Sequence, residues 1–164
     1  MEEYRIRNVT PADICRVTEV EALCFPAAEA AGRSSFEERI GRFPESFFVA
    51  ERADGEIIGF INGCATDEKT IRDEMFEDAS LHQKDGAYQS IFGLDVILEC
   101  RKQGIAAALM RHMIEDARQK GRKGLILTCK DQLISYYSKF GYENMGVSQS
   151  VHGGAVWYDM ILEF

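Results

Sequence analysis

Apolar residues recur along the chain in two rhythms, and the rhythm changes at recognisable turn signals. Tyr4 to Asn8 alternates weakly, as a strand does. Thr10-Pro11-Ala12-Asp13 then offers an N-cap, a proline at the first helical position and an acid at the third. Ile14, Val17, Val20 and Leu23 follow at helical spacing, so a helix with those four facing inward is expected, stopped at Phe25-Pro26. Ser34 or Ser35 caps a second short helix with Phe36 and Ile40 on its inner side, and Phe43-Pro44 breaks it. These two helices read as scaffold and lid.

Phe47 to Glu51 and Glu56 to Ala65 are apolar, β-rich runs around Asp54-Gly55, which predicts an antiparallel hairpin. Residues 67–86 hold seven Asp/Glu against three Lys/Arg, with Ile71, Met75 and Leu81 as apolar anchors, and read as a surface helix and loop. Tyr88 to Leu98 returns to strand character. Gly104 to Lys120 has the Ala, Leu and Met content of a good helix, ended by Gly121. Leu125 to Cys129 reads as a buried strand, Leu133 to Lys139 as a short helix ended by Gly141, and Tyr142 to Ser150 with Ala155 to Leu162 as two closing strands. This order predicts an α+β fold with helices flanking a mixed sheet. At 164 residues, with no repeat, linker or low-complexity tract, one domain over 1–164 is expected.

Composition narrows the classes. No apolar run approaches the roughly 18 to 20 residues that span a bilayer, and the first residues lack the regions of a signal peptide. A cytoplasmic protein, without membrane or nucleic-acid partners, is therefore expected; a net charge of −8 also lacks the basic footprint that phosphate backbones require. Cys15, Cys24, Cys64, Cys100 and Cys129 form no Cys-x-x-Cys pair and the three histidines are scattered, so buried thiols and no metal site are expected. The charge is unevenly spread. Residues 101–123 hold seven Lys/Arg and two acids, a local +5, which leaves −13 for the remainder. Such an island suits either a docked anion or a solvated helix face.

The segment with the most chemistry is Gly93-Leu94-Asp95-Val96, a short turn, then Arg101-Lys102-Gln103-Gly104-Ile105-Ala106-Ala107 opening a helix. Small residues at 104 and 106 let a bound group approach the backbone, and the free N–H groups of the helix start stabilise an anion such as a pyrophosphate. Arg101 and Lys102 add charged donors. The same pattern also serves as simple helix packing.

This hexapeptide from Arg101 to Ala106 resembles the Arg/Gln-x-x-Gly-x-Gly/Ala acyl-CoA signature of the GNAT superfamily of N-acetyltransferases. Tyr137-Ser138-Lys139-Phe140-Gly141-Tyr142 looks like the Tyr-x-Lys/Arg-x-Gly-Phe/Tyr motif that follows the next strand and short helix in that family. Leu127 to Tyr142, Gly153 to Met160, Glu19 to Phe25 and the acidic stretch at 67–78 are similar to the serotonin (arylalkylamine) N-acetyltransferases. The resemblance implies a central sheet of roughly six or seven strands with about four helices. It implies acetyl-CoA as cosubstrate: backbone groups of Leu94, Asp95 and Val96 pair with the pantetheine arm, and Arg101 through Ala107 hold the pyrophosphate. Tyr137 takes the place of the tyrosine that protonates the departing thiolate, with Tyr136 as the neighbouring alternative.

One departure concerns the general base. Those enzymes carry two histidines on the strand before the CoA motif, and here Ser90 and Phe92 stand in their places. An alkylamine with a pKa of roughly 10 must lose a proton before it attacks. A water relay at Ser90, Glu21 on the first helix and His82 in the acidic loop are the candidates; His82, His112 and His152 also read as surface or structural residues. A Cys129 or Cys100 nucleophile lacks a histidine and orienting acid at evident spacing. The expected reaction is direct attack of a small cationic amine, arylalkylamine or polyamine-like, on the thioester in a ternary complex. Acetylation of a protein N-terminus or lysine is the second reading, a catalytically silent acyl-CoA-binding regulatory module the third. Terminal strands in such folds also allow a homodimer.

Overall fold

The hairpin announced by Asp54-Gly55 forms. In the computed structural model, which describes residues 3–164, strands β2 (Phe47–Arg52) and β3 (Ile57–Asn62) pair antiparallel, Phe48 against Ile61 and Val49 against Phe60. Gly55 takes φ +90 in the turn, and the Glu56 N–H donates to Asp54 Oδ1 at 2.9 Å. Before the hairpin come β1 (Tyr4–Asn8), α1 (Ile14–Cys24) and α2 (Arg33–Arg42). After it come β4 (Ala65–Thr66), α3 (Asp73–Glu77), β5 (Tyr88–Ile91), β6 (Gly93–Val96), α4 (Ile105–Gln119), β7 (Gly124–Cys129), α5 (Ile134–Ser138), β8 (Glu143–Val147) and β9 (Tyr158–Glu163).

The α+β class is as expected, but the strands form two sheets rather than one central sheet of six or seven. One is antiparallel, ordered β1-β2-β3-β6; the other is ordered β4-β5-β7-β9-β8, with β5 and β7 parallel. The physical reason is a double bend. Glu56–Ala65 and Tyr88–Leu98, each read as one strand, break at Gly63-Cys64 and at Phe92. The ladder continues across the bend, because the Ser90 N–H donates to the Cys64 carbonyl at 2.8 Å and the Phe92 N–H to the Asn62 carbonyl at 2.7 Å. Approach here is so close that a Cβ on Gly63 would lie 1.9 Å from the Ser90 carbonyl oxygen. The buried Gln89 amide donates to the carbonyls of Gly63 and Ser90, both at 2.8 Å, which supplies donors where the bent ladder lacks them.

Because strand side chains alternate, Phe47 and Phe48 point to opposite faces of the first sheet. Phe47 stacks on Phe60 and meets Phe36 of α2, whereas Phe48 meets His112 of α4. Helices α1 and α2 thus cover one face and α4 the other. The buried stripe of α4 is Ile105, Leu109, Met110, Met113 and Ala117, and the helix fills the run from Gly104 to Lys120 that composition marked as helical. Val17 and Val20 of α1 are buried, but Leu23, expected beside them, is 67% exposed. Ile71 and Met75 anchor the acidic segment as expected while Leu81 stays outside, and Cys15 is exposed, unlike the other four thiols. No helix among the described residues is long and apolar enough to cross a membrane.

Replacing Gln89 by Leu removes the donor for two buried carbonyls and should cost about 3 kcal/mol in urea unfolding, with an unchanged m-value. A loss below about 1 kcal/mol would show that the bend does not depend on this amide.

Candidate active site

Strand β6 hydrogen-bonds β3 on one side, from Gly59 opposite Val96 to Asn62 opposite Gly93, and its other side is a free sheet edge. At its end a short turn (Leu98–Cys100) leads into the loop from Arg101 to Gly104. Lys102 and Gly104 have φ +63 and +83, so the backbone curls into a concavity of N–H groups. The N–H groups of Ile105, Ala106 and Ala107 precede the first helical donor of α4, the Ala108 N–H, which meets the Gly104 carbonyl at 3.0 Å. A Cβ on Gly104 would meet no protein atom within 4 Å, so what the fold itself asks of this glycine is its backbone conformation. Ile105 points into the core, and Ala106 and Ala107 stay half-buried beside the loop. Arg101 folds back, its Nε donating to the Val96 carbonyl at 2.8 Å, so it ties the loop to the strand end.

Since β5 stays with β7 while β6 stays with β3, β6 and the C-terminal half of β7 diverge. A cavity of about 290 Å³ opens in that divergence. Ile91 to Leu94 and Leu127 to Cys129 line it, with Tyr137 from α5, Glu21 and Phe25 from the α1 side, and Phe76, His152 and Trp157. Tyr137 packs edge-on against Tyr136 and Tyr142. Burial, with the neighbouring Cys129, Tyr136 and Asp95 adding to it, raises the Tyr137 phenol above its usual range, so it is protonated at neutral pH. Tyr136 lies instead in a shallow groove of about 470 Å³ along α4, with Arg111, Arg118, Lys139 and Phe140.

Of the three base candidates, the structure brings one to the cavity. Glu21 lines it, 7% exposed, with its Oε2 accepting the Ala31 N–H at 2.9 Å. Ser90 is fully buried and donates its hydroxyl to the Cys64 carbonyl at 2.7 Å, because the bend at Gly63 turns it away from the opening. His82 is bonded on both sides elsewhere, its Nδ1 accepting the Ala65 N–H at 3.0 Å and its Nε2 lying 3.1 Å from Glu45 Oε1. Cys129 lines the cavity, but burial pushes its thiol up to about 11, which keeps it protonated. Cys100 is buried at the end of the turn after β6 and does not line the cavity.

Sequence reasoning missed the far wall. His152 stacks on Phe76 at 5.1 Å and 11°, and its Nε2 lies 2.9 Å from the Glu29 carbonyl. A carbonyl can only accept, so that nitrogen carries hydrogen. The Asp73 carboxylate receives the Ser150 hydroxyl and the Val151 N–H, while Lys130 pairs with Glu29 at 2.8 Å and lies over the Trp157 ring. These contacts draw the 150–157 segment across the cavity. Gly153-Gly154, at φ +61 and +71, was the available signal for so tight a turn.

A model of the acetyltransferase (GNAT) family matches residues 14–142. A probable hydrolase, YhcX, from Bacillus subtilis (strain 168) is 28% identical over 147 residues, covering 84% of this chain and 28% of its own, so the chain spans little more than a quarter of that relative. Serotonin N-acetyltransferase of Mesocricetus auratus is 27% identical over 145 residues, covering 85% of this chain and 68% of its own. Among solved structures, the GphF GNAT-like decarboxylase in complex with isobutyryl-CoA superposes with a TM-score of 0.84 at 20% identity, over 97% of this chain and 98% of that one.

The left-handed cap at Gly104 can be tested by stability alone. Gly104→Ala should cost about 1 kcal/mol and Gly104→Asn less, since asparagine tolerates that conformation. Equal losses for both would mean that φ is not the constraint.

Proposed function

Because the chain belongs to the GNAT acetyltransferase family, we propose that it transfers the acetyl group of acetyl-CoA to a small cationic primary amine, arylalkylamine or polyamine-like, by direct attack in a ternary complex. The observation that carries this reading is one cavity, at the free edge of β6, lined by both a carboxyl from α1 and a protonated phenol from α5. The residues fit the cosubstrate. The edge of β6 from Leu94 to Val96 offers backbone partners for the amides of the pantetheine arm. The loop from Arg101 through Gln103, with the first N–H groups of α4, suits a pyrophosphate. Arg111, Lys139 and Phe140 in the adjoining groove suit a phosphorylated nucleotide.

The amine enters as an ammonium ion, drawn by Glu21 and the aromatic wall. Glu21 takes one proton, and the freed nitrogen attacks the thioester carbonyl carbon. The C–S bond then breaks with its electron pair passing to sulfur, which takes the proton of Tyr137. The second proton lost by the nitrogen restores Tyr137, and the one on Glu21 leaves to solvent, so the balance is one amide, one thiol and one proton released. Positioning supplies much of the rate. The protonated Cys129 thiol gives no reason to invoke a covalent intermediate. The strap held by Asp73 and Glu29 over the cavity favours a small acceptor over a peptide chain, and Glu21 fills the role left by the absent histidines, which favours an enzyme over a silent binding module.

A panel scored by CoA thiol release should show turnover of arylalkylamines or polyamines well above that of short peptides; peptides as the better acceptors would overturn the substrate class. Tyr137→Phe should lower kcat about 100-fold with little change in KM for the amine, and unchanged turnover across pH would remove the proton-donor role. Replacing Arg111 and Lys139 together by Ala should raise KM about tenfold for acetyl-CoA but not for S-acetylpantetheine, which lacks the nucleotide.

A further inference from the structure

Behind Glu21 lies a second carboxyl that has no donor of its own. Asp95 on β6 is 1% exposed, and neither of its oxygens meets a hydrogen-bond donor among the described residues. The missing side chain of Gly93 makes room for it: a Cβ there would stand 3.0 Å from Asp95 Oδ1, 3.6 Å from Glu21 Oε1 and 3.6 Å from Asn62 Nδ2. Two carboxyls therefore converge on one small, buried space, where both cannot ionise together. The cation nearest to hand is Arg39 of α2, 4% exposed, which donates to Asn62 Oδ1 at 3.1 Å and to the Phe76 carbonyl at 3.0 Å. One proton shared between the two acids leaves a single negative charge to balance it. Glu21 lines the cavity and Asp95 does not.

We propose that Asp95 is a positioning residue that keeps its proton and donates it to Glu21, holding the Glu21 carboxylate ionised and turned to the incoming amine. This rests on Glu21 being the proton acceptor of the proposed reaction. The Ala31 N–H donates to Glu21 Oε2 at 2.9 Å while Asp95 receives no donor among the described residues, so the negative charge is better held on Glu21 and the shared proton on Asp95. In the same sense, burial first and then the charge of Glu21 raise the Asp95 carboxyl well above the usual range. The other titratable groups facing Asp95 are Cys24 of α1, Arg39 of α2 and Tyr137 of α5; burial keeps Cys24 and Tyr137 in their neutral forms. The backbone of Asp95 remains available at the sheet edge, since its side chain points to the α1 side. At alkaline pH, loss of the shared proton sets two carboxylates against each other, and the pair opens.

The test uses the whole chain and three variants. Infrared spectra of the unliganded protein at pH 7 should show a protonated-carboxyl band that Asp95→Asn abolishes. With a good amine, Asp95→Leu should lower kcat about tenfold or more while acetyl-CoA binding, measured by calorimetry, stays within about twofold. Asp95→Asn, which restores a donor of the same size, should recover most of that loss and lose the alkaline fall in kcat. Absence of the band in the unsubstituted protein, or an Asp95→Asn as slow as Asp95→Leu, would overturn the proposal. Glu21→Gln separates the two layers: if it leaves kcat unchanged, Glu21 itself is not the acceptor, whereas a large loss there beside a fully active Asp95→Leu sinks only the role of Asp95. Should Asp95→Leu not fold, the infrared band and the pH profile of Asp95→Asn decide.

Discussion

Gly63 approaches Ser90 more closely than any side chain would permit, and the Gln89 amide supplies donors to the carbonyls left over by that approach. This bend sends β3 and β6 one way and β4 and β5 another, although β3 runs on into β4 and β5 into β6 along the chain. β6 is then left with one sheet neighbour. A free backbone edge inside a folded protein is normally a liability, and here it runs from the cavity to the start of α4, which is the path an extended, amide-bearing ligand needs. Without the bend, β6 would continue β5 alongside β7, and there would be neither edge nor opening.

The polar groups sort themselves along that path by what each must meet. At the far end, Arg111 and Arg118 of α4, Lys139 just after α5 and the first N–H groups of α4 gather positive charge, which would suit the phosphate-rich ligand proposed above. At the inner end the field reverses: Glu21 and Asp95 stand against Arg39, and Glu29 against Lys130. The net charge of −8 hides this unevenness, because a local +5 over residues 101–123 sits in a chain whose remainder carries −13. Tyr137 lies where the two meet, its phenol kept protonated by the same burial that silences Cys129 as a nucleophile.

What could be read from the sequence was whatever local chemistry determines. Asp54-Gly55, the Ala-, Leu- and Met-rich run from Gly104 to Lys120 and the Gly121 that ends it each carry their conformation in neighbouring residues, and the structure has them where they were expected. The sheet organisation was not legible, since a strand break at Phe92 depends on which strands its two halves pair with. Leu23, in the last turn of α1, fits its helical spacing yet is exposed where Val17 and Val20 are fully buried. Ser90 looked like a candidate because of its place in a motif; alternation told which residues share its face but not that the face turns inward at the bend. His152 reaches the cavity through contacts with Glu29 and Phe76 that are remote in sequence, and the Glu21–Asp95 pairing needed the space beside Gly93.

The claim on which the rest depends is that the free edge of β6 and the start of α4 form one continuous track for acetyl-CoA. Amide hydrogen exchange with and without acetyl-CoA tests it directly. Added protection is expected at residues 93–96 and 103–107, with the outer edge at β8 unaffected. Protection elsewhere, or none along β6 at saturating acetyl-CoA, would contradict it.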